Sequence, residues 1–267
     1  ENGNDIWLSD YFTKNGINFT GSSREALKFD SDKVLAKSHL RKMGIKTADY
    51  FTAIPGQYKY ESELPVRFPL FLKPLDAANG NGIDDLSFVT SFEEYESKIS
   101  SLYDSFNQPV LVEEYLDGRE FTVAVINMPG SNLLVSAVEV VPPQSTNGLR
   151  ILGEQAKRDD SEELKKEEDI EIRDSVCKLA VDAFVHLGVR DFGRIDIKVN
   201  ASGQSYFMEA NLVPGMTAGS SYFPKACEIE GEISYDKMIG LILGEGLRRV
   251  PIKLVDNITA DPLPLAM

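Results

Sequence analysis

The segment FGRIDIKVNASGQSYFMEANLVPGMT, Phe192 to Thr217, gathers the largest set of residues able to do chemistry. Side chains alternate along a strand, so Ile195, Ile197 and Val199 take one face and Arg194, Asp196 and Lys198 the other. With Ser202 and Gly203 as a two-residue turn, the returning strand sets Glu209 opposite Asp196 and Asn211 opposite Arg194. Two carboxylates, an amide oxygen and a guanidinium then share one face. Like charges opposed on a sheet are unfavourable unless a cation lies between them. Hard oxygen donors with no His or Cys suit Mg²⁺ held together with substrate phosphates. A solvated hairpin face, with Arg194 neutralising one acid, is the plainer reading. The loop after Glu209, with Pro214-Gly215, favours the metal–phosphate reading.

Lys73 ends the apolar run Phe68 to Pro74, and the loop LDAANGNGI follows. A lysine there is costly unless its ammonium meets an anion. Gly80 and Gly82 free the backbone to lay N–H groups on phosphate oxygens. No Gly-Lys-Ser/Thr follows, so this is not the Walker pattern, and an ordinary hairpin connection would look the same. Lys33 follows a helix cap, where an exposed lysine needs no special role. In VLVEEYLDGREFTVAV, Glu113 and Tyr115 share a strand face and Glu120 follows. Glu113 facing an adenine amine, with Glu120 on ribose hydroxyls, makes a sensible nucleoside site; two surface glutamates would look identical. His39 and His186 read as structural. Cys177 falls on an apolar stripe, neither it nor Cys227 has an activating partner, and no Gly-x-Ser-x-Gly elbow is present.

Alternating elements must position these groups. A helical stripe at Ile6, Leu8, Tyr11 and Phe12 ends at Asn15-Gly16, a short strand is expected over Ile17 to Thr20, and helices begin after Ser22 and Ser31, the second running to Gly44. Strands are expected at Phe68 to Pro74, Val110 to Tyr115, Phe121 to Ile126 and Leu133 to Val141, with a helix over Phe92 to Tyr103. The polar stretch Gln144 to Asp169, with its run EELKKEED, reads as a mobile surface loop. The stripe Ile172, Val176, Leu179, Ala183 and Leu187 predicts a helix stopped by Gly188, and a last helix spans Tyr235 to Leu247. This mixed order indicates an α+β or α/β protein of two lobes.

Charge excludes several function classes. The 267 residues carry 28 basic and 42 acidic side chains, a net charge of −14, which opposes nucleic-acid binding and attachment to anionic membranes. No apolar run approaches the roughly 18 residues of a spanning helix, and two cysteines make no disulfide framework. A soluble protein of the reducing cytoplasm is expected.

Taken in order, INFTGSSREALKFDSDK, FLKPLDAANGNGI, VEEYLDGREFTVAV and DFGRIDIKVN with FMEANLVPGMTAGSS resemble the ATP-grasp ligases, and within them the D-alanine–D-alanine ligase family. The resemblance runs from Glu1 to about Leu243. It implies an α+β, ATP-grasp fold: a remnant of an N-terminal α/β domain and connecting helix over 1–47, a small lobe over 48–118 and a large lobe over 119–267, the two lobes enclosing nucleotide. Lys33 and Lys73 would contact ATP phosphates beneath a flap that includes Asn79, Gly80, Asn81 and Gly82. Glu113, with Glu114 and the backbone at Tyr115 and Leu116, would hold adenine, and Glu120 the ribose. Asp196, Glu209 and Asn211 would bind two Mg²⁺ ions, and Arg194 would stabilise the transferring phosphoryl group. Lys157, Gly215, Ser220 and Ser221 would serve the amino-acid substrates.

The implied reaction makes an acyl phosphate from a carboxylate and ATP, and an amine then displaces phosphate. D-Alanyl-D-alanine, a cell-wall peptidoglycan precursor, is the first expected product, and family members are commonly homodimers. Two departures leave specificity open. The family's Gly-Ser-Ser-x-Gly flap is here Ala-Asn-Gly-Asn-Gly, and Lys157 is followed by Arg158 and two aspartates instead of an aromatic. A dipeptide ligase of other specificity is the near alternative, and a non-catalytic nucleotide-binding regulator the distant one. Joint retention of Arg194, Asp196, Glu209 and Asn211 speaks against the regulator. The abrupt start at Glu1 leads to the expectation of upstream sequence holding the group for the first substrate's ammonium.

Overall fold

The computed structural model describes residues 7–75, 80–128, 130, 132–145 and 148–249. Three helices come first: α1 (Leu8–Lys14), α2 (Arg24–Ser31) and α3 (Lys33–Lys42). The cap of α3 is Asp32, whose carboxylate accepts from Leu35 N at 2.8 Å, and not the expected Ser31, which is the last residue of α2. Ser23, one residue after the expected Ser22, precedes α2. Ile6 lies outside the described residues. The expected strand over Ile17 to Thr20 does not form. Side chains take the polar backbone groups that a strand would need: Arg249 and Arg190 donate to Phe19 O at 2.8 and 3.2 Å.

The smaller sheet contains β1 (Tyr50–Ala53), β2 (Leu70–Pro74), β3 (Phe88–Val89) and β4 (Val110–Glu114) in the order β1-β4-β2-β3, all antiparallel. Leu70, Leu72, Val110 and Val112 point into a core closed by Ile99 and Leu102 of α4 (Phe92–Phe106), which begins with a Ser91–Glu94 capping box. Alternation turns Lys73 and Glu113 to the opposite face.

The larger sheet contains β5 (Arg119–Met128), β6 (Asn132–Val141), β7 (Glu163–Lys166), β8 (Phe192–Val199) and β9 (Ser205–Asn211) in the order β7-β6-β5-β8-β9, again antiparallel. One face packs Val123, Ile195, Ile197 and Phe207 against Val176, Ala180 and Phe184 of α6 (Ile170–His186). On the other face, α7 (Tyr222–Ile229) and α8 (Tyr235–Arg248) cover Ala124 and Ile126 through Phe223, Met238 and Ile242. The rest of that face, with Glu120, Arg194, Asp196 and Lys198, is turned toward the smaller sheet.

The stretch 144–169 is not the expected loop. It forms α5 (Glu154–Asp159) and the edge strand β7, built from the charged run itself. Leu152 and Ala156 pack with Val140, Leu164 and Tyr222, and buried Glu167 pairs with Arg119. An edge strand needs few apolar residues because one side of its ladder faces solvent. Helix α7 likewise has no counterpart among the expected elements.

The hairpin β8–β9 reaches the expected register by an unexpected route. Arg194 is opposite Asn211 and Asp196 opposite Glu209, but Val199 pairs with Ser205 and Ile197 with Phe207. The turn therefore has three residues, Ala201 to Gly203, with Gly203 at φ 80° and the Asn200 side chain accepting from Ser202 N and Gln204 N. A bulge at Met208 supplies the compensating residue and returns Glu209 to the site face. No described helix is long and apolar enough to cross a membrane.

Candidate active site

The two sheets enclose a cleft with an empty volume of about 960 Å³. Its walls include Lys33, Lys73, Gly80, Asn81, Glu113, Glu114, Tyr115, Leu116, Glu120, Lys157 and Glu209, which sequence reasoning had selected. A second cleft, of about 1900 Å³, is lined by Arg194, Asn211, Gly215, Ser220 and Ser221 from the same expectations. Lys33, Asn81, Lys157 and Glu209 line both, so they stand where the clefts meet. Asp196 is buried beneath this junction, Gly82 lines the outer side of the flap, and Asn79 lies outside the described residues.

At the small-lobe end, β2 and β4 bring Lys73 and Glu113 onto one face, and α3 delivers Lys37 from below. The Glu113 carboxylate ion-pairs with Lys37 Nζ through one oxygen and Lys73 Nζ through the other, each at 2.7 Å. Burial alone would raise the Glu113 pKa, but the two ammonium charges outweigh it and hold it at about 2. Burial pushes Lys37 down against the attraction of Glu113, whereas the same kind of burial at Lys73 is overcome by Glu113 and Glu209, which push it up. Lys37 also reaches Phe207 O at 3.4 Å, joining the two sheets at the base of the cleft. This corrects the expectation of a Glu113 carboxylate open to an adenine amine, since both its oxygens are engaged. It also gives Lys33 more than an ordinary surface position, because its Nζ lies 3.6 Å from Glu209. Lys37 was missed; its spacing four residues after Lys33, on the same helix face, was the available signal.

At the large-lobe end, Arg194 donates twice to Asp196, at 3.0 and 2.8 Å, and its guanidinium lies 5.4 Å from the centre of the Tyr222 ring. Thr122 and Asn211 Nδ2 also donate to Asp196, at 2.7 and 3.0 Å. Asn211 thereby keeps its amide oxygen as a donor atom for a cation. Burial raises the Glu209 pKa, but the charges of Lys33, Lys73, Lys157 and Arg194 prevail and hold it at about 2. Glu120 is pushed up by burial despite Lys198, 3.8 Å away.

Hard, ionised or amide oxygens at Glu209 and Asn211 fit a divalent cation in chemistry. Asp196 fits by type, with its oxygens engaged by Thr122, Arg194 and Asn211. No cluster of three or more His, Cys, Asp or Glu is arranged to hold a metal among the described residues, consistent with a donor set that includes an amide.

Two loops close over the junction. Glu154 N donates to Ile83 O at 3.0 Å, and Gly82 N to the Glu154 carboxylate at 3.4 Å. A Cβ on Gly153 would stand 2.5 Å from Ile83 O, so this approach needs glycine. The flap after Lys73 and the segment leading into α5 thus meet above Lys157. On the far wall, Ser221 Oγ accepts from Thr217 N at 3.0 Å and sits against Gly215 at the start of α7.

Two antiparallel sheets with their helices close on lysines from both sides, with an Arg–Asp–Glu–Asn face at the junction, and the fold is of the ATP-grasp class. The family model described as D-ala D-ala ligase C-terminus matches residues 39–244. A D-alanine–D-alanine ligase of Aquifex aeolicus is 30% identical over 227 residues, covering 85% of this chain and 73% of that protein. The crystal structure of the Bacillus anthracis D-alanine–D-alanine ligase complexed with ATP superposes with TM-score 0.72 at 24% identity, over 92% of this chain and 76% of that one. The VanG D-Ala:D-Ser ligase of Enterococcus faecalis gives TM-score 0.71 at 24% identity, over 92% and 70%. The chain belongs to the D-alanine–D-alanine ligase family and is an ATP-dependent ligase.

Proposed function

We propose that the protein activates the carboxylate of one amino acid with ATP and joins it to the amine of a second, with D-alanine as the first candidate for both. The carrying observation is the pair of clefts meeting at Lys33, Lys157 and Glu209, since a γ-phosphoryl group entering from one cleft there confronts a carboxylate entering from the other. In this reading the cleft around Tyr115 and Leu116 takes the adenine, Glu120 the ribose, and Lys33 and Lys73 the phosphates. Glu113 acts through the lysines, keeping their ammonium groups charged and aimed. Gly80, Asn81 and Gly82, with Asn79 beside them in sequence, cover the phosphates.

The reactant carboxylate attacks the γ-phosphorus, and ADP leaves with the bridging oxygen. The second amine, as its free base, attacks the acyl carbon, phosphate departs with the bonding pair and the original carboxylate oxygen, and the proton released from nitrogen passes to the phosphate. Arg194, beside the Tyr222 ring, exchanges its Asp196 contact for the phosphoryl oxygens and later for the tetrahedral oxyanion. Asp196, Glu209 and Asn211 would hold Mg²⁺, two ions in the family pattern. When bound, it would neutralise phosphate charge and polarise the transferring group. Gly215, Ser220, Ser221 and the start of α7 receive the acceptor carboxylate, because helix N-termini present free N–H groups to anions.

A ligase of other acceptor specificity is the second reading, favoured by Asn79 and Gly80 standing in the flap where the family pattern has its two serines. We further propose the division into 1–47, 48–118 and 119–267, a cytoplasmic site of action in peptidoglycan precursor synthesis, and a homodimer. The test is Mg-ATP with pools of D- and L-amino acids, following phosphate and product masses. Amino-acid-dependent phosphate with a dipeptide mass is expected. ATP binding without either would contradict the proposal and favour a regulatory homologue.

A further inference from the structure

Five carboxylates line the second cleft: Asp30, Glu154, Asp160, Glu162 and Glu209. Four of them have partners there. Glu154 pairs with Arg158, Asp160 with Lys225, Glu162 accepts from the Tyr222 hydroxyl, and Glu209 faces Lys33. Asp30 differs. Among the described residues no lysine or arginine forms an ion pair with it, and its one hydrogen bond is from Leu212 N to Oδ1 at 2.9 Å.

Its placement is unfavourable for a carboxylate that does nothing. Asp30 lies in the last turn of α2, where the helix dipole opposes negative charge, and it is half-buried. Burial pushes its pKa up, and the nearby Glu209 charge adds to that, while the Leu212 N–H and the charges of Arg194 and Lys33 act against it. The Leu212 bond fixes the carboxylate directly beside Asn211. From there it lines the same cleft as Ser220, Ser221 and the start of α7, which suit a carboxylate. The cleft thus offers a partner to each end of a zwitterion.

We infer that Asp30 is a specificity-determining residue that binds the ammonium group of the amino acid occupying this second cleft. The inference rests on the ligase reading above and deepens it. The rival role for Asp30 is purely structural, bracing the Asn211–Leu212 backbone, and the two roles separate cleanly. In Asp30→Asn the side-chain oxygen can still accept from Leu212 N–H, but the charge is gone.

The experiment measures D-alanine binding by calorimetry in the presence of Mg²⁺ and a non-hydrolysable ATP analogue, and steady-state phosphate release with ATP and D-alanine, for wild type and Asp30→Asn. The expected result is a loss of D-alanine affinity and a rise in its KM of about tenfold to a hundredfold, the range for a charge-assisted hydrogen bond, with the KM for ATP and the thermal midpoint unchanged. Asp30→Glu should recover part of the affinity. If Asp30→Asn binds and uses D-alanine as wild type does, or loses ATP and D-alanine equally, the inference is overturned while the ligase reading stands. If the wild-type protein neither binds D-alanine nor releases phosphate with it, the D-alanine ligase reading fails first and the inference falls with it.

Discussion

Arg194 and Asp196 are locked in a two-point pair, and Glu113 holds two lysines; both arrangements prepare charge that a triphosphate would meet. Lys37 is the informative member because it is fully buried at the base of the cleft and joins Glu113 to Phe207 O. Replacing it with Met leaves Glu113 buried with one partner, and breaking a buried pair costs about 3 kcal/mol or more. Lys37→Met should therefore lower stability to chemical denaturation by about that amount, and adding Glu113→Gln should lower it further, because buried Lys73 then loses its carboxylate partner as well. Equal stability of wild type and Lys37→Met would remove the pinning role. Glu209→Gln should behave oppositely, weakening Mg²⁺ binding by about tenfold or more while shifting the melting temperature by only about 3 °C. An Mg²⁺ titration of activity that is unaltered in Glu209→Gln would withdraw Glu209 from the metal set.

At the scale of elements, the hairpin shows what a sequence discloses and what it conceals. Alternation over Phe192 to Val199 fixed which side chains share a face, and the register of Asp196 against Glu209 followed from a two-residue turn that does not exist. A three-residue turn and the Met208 bulge cancel, and nothing in the local residue types distinguishes the two solutions. The charged run EELKKEED concealed β7 because an edge strand buries too little to show an apolar period. Glu113 was placed on the right face, but its partner Lys37 comes from a helix more than seventy positions away, and only packing reveals that contact. Asp30 left no signal either, since its environment is made by Leu212 and the second cleft. The closure over the junction gives an element-scale prediction. Gly153→Ala drives a Cβ against Ile83 O, and overpacking of this kind costs about 1–3 kcal/mol. The closed arrangement should be disfavoured, raising the KM for ATP by about tenfold with little change in global stability. An unchanged KM would show that the two loops need not meet for nucleotide to bind.

For the whole molecule, stability and pH are linked through the same buried charges. The Lys37 and Lys73 charges hold the Glu113 carboxyl at about 2 in the folded protein against an ordinary value of 4.5. Such a lowered carboxylate adds stability that is fully present above about pH 4.5 and is lost as pH falls toward 2. Acid titration of unfolding should show a steep loss across that window, shallower in Glu113→Gln; parallel curves would contradict the assigned shift. The two sheets are joined where their function lies, by Lys37 at the base and by the Ile83–Glu154 contact at the top. In the proposed reaction this enclosure passes a phosphoryl group from ATP to a carboxylate before an amine arrives. The direct measurement supplies D-alanine labelled with ¹⁸O in both carboxylate oxygens, with Mg-ATP, and weighs the released phosphate. One labelled oxygen per phosphate, with the other retained in the amide, is the predicted result. Phosphate free of label would mean that water, and not the carboxylate, receives the phosphoryl group.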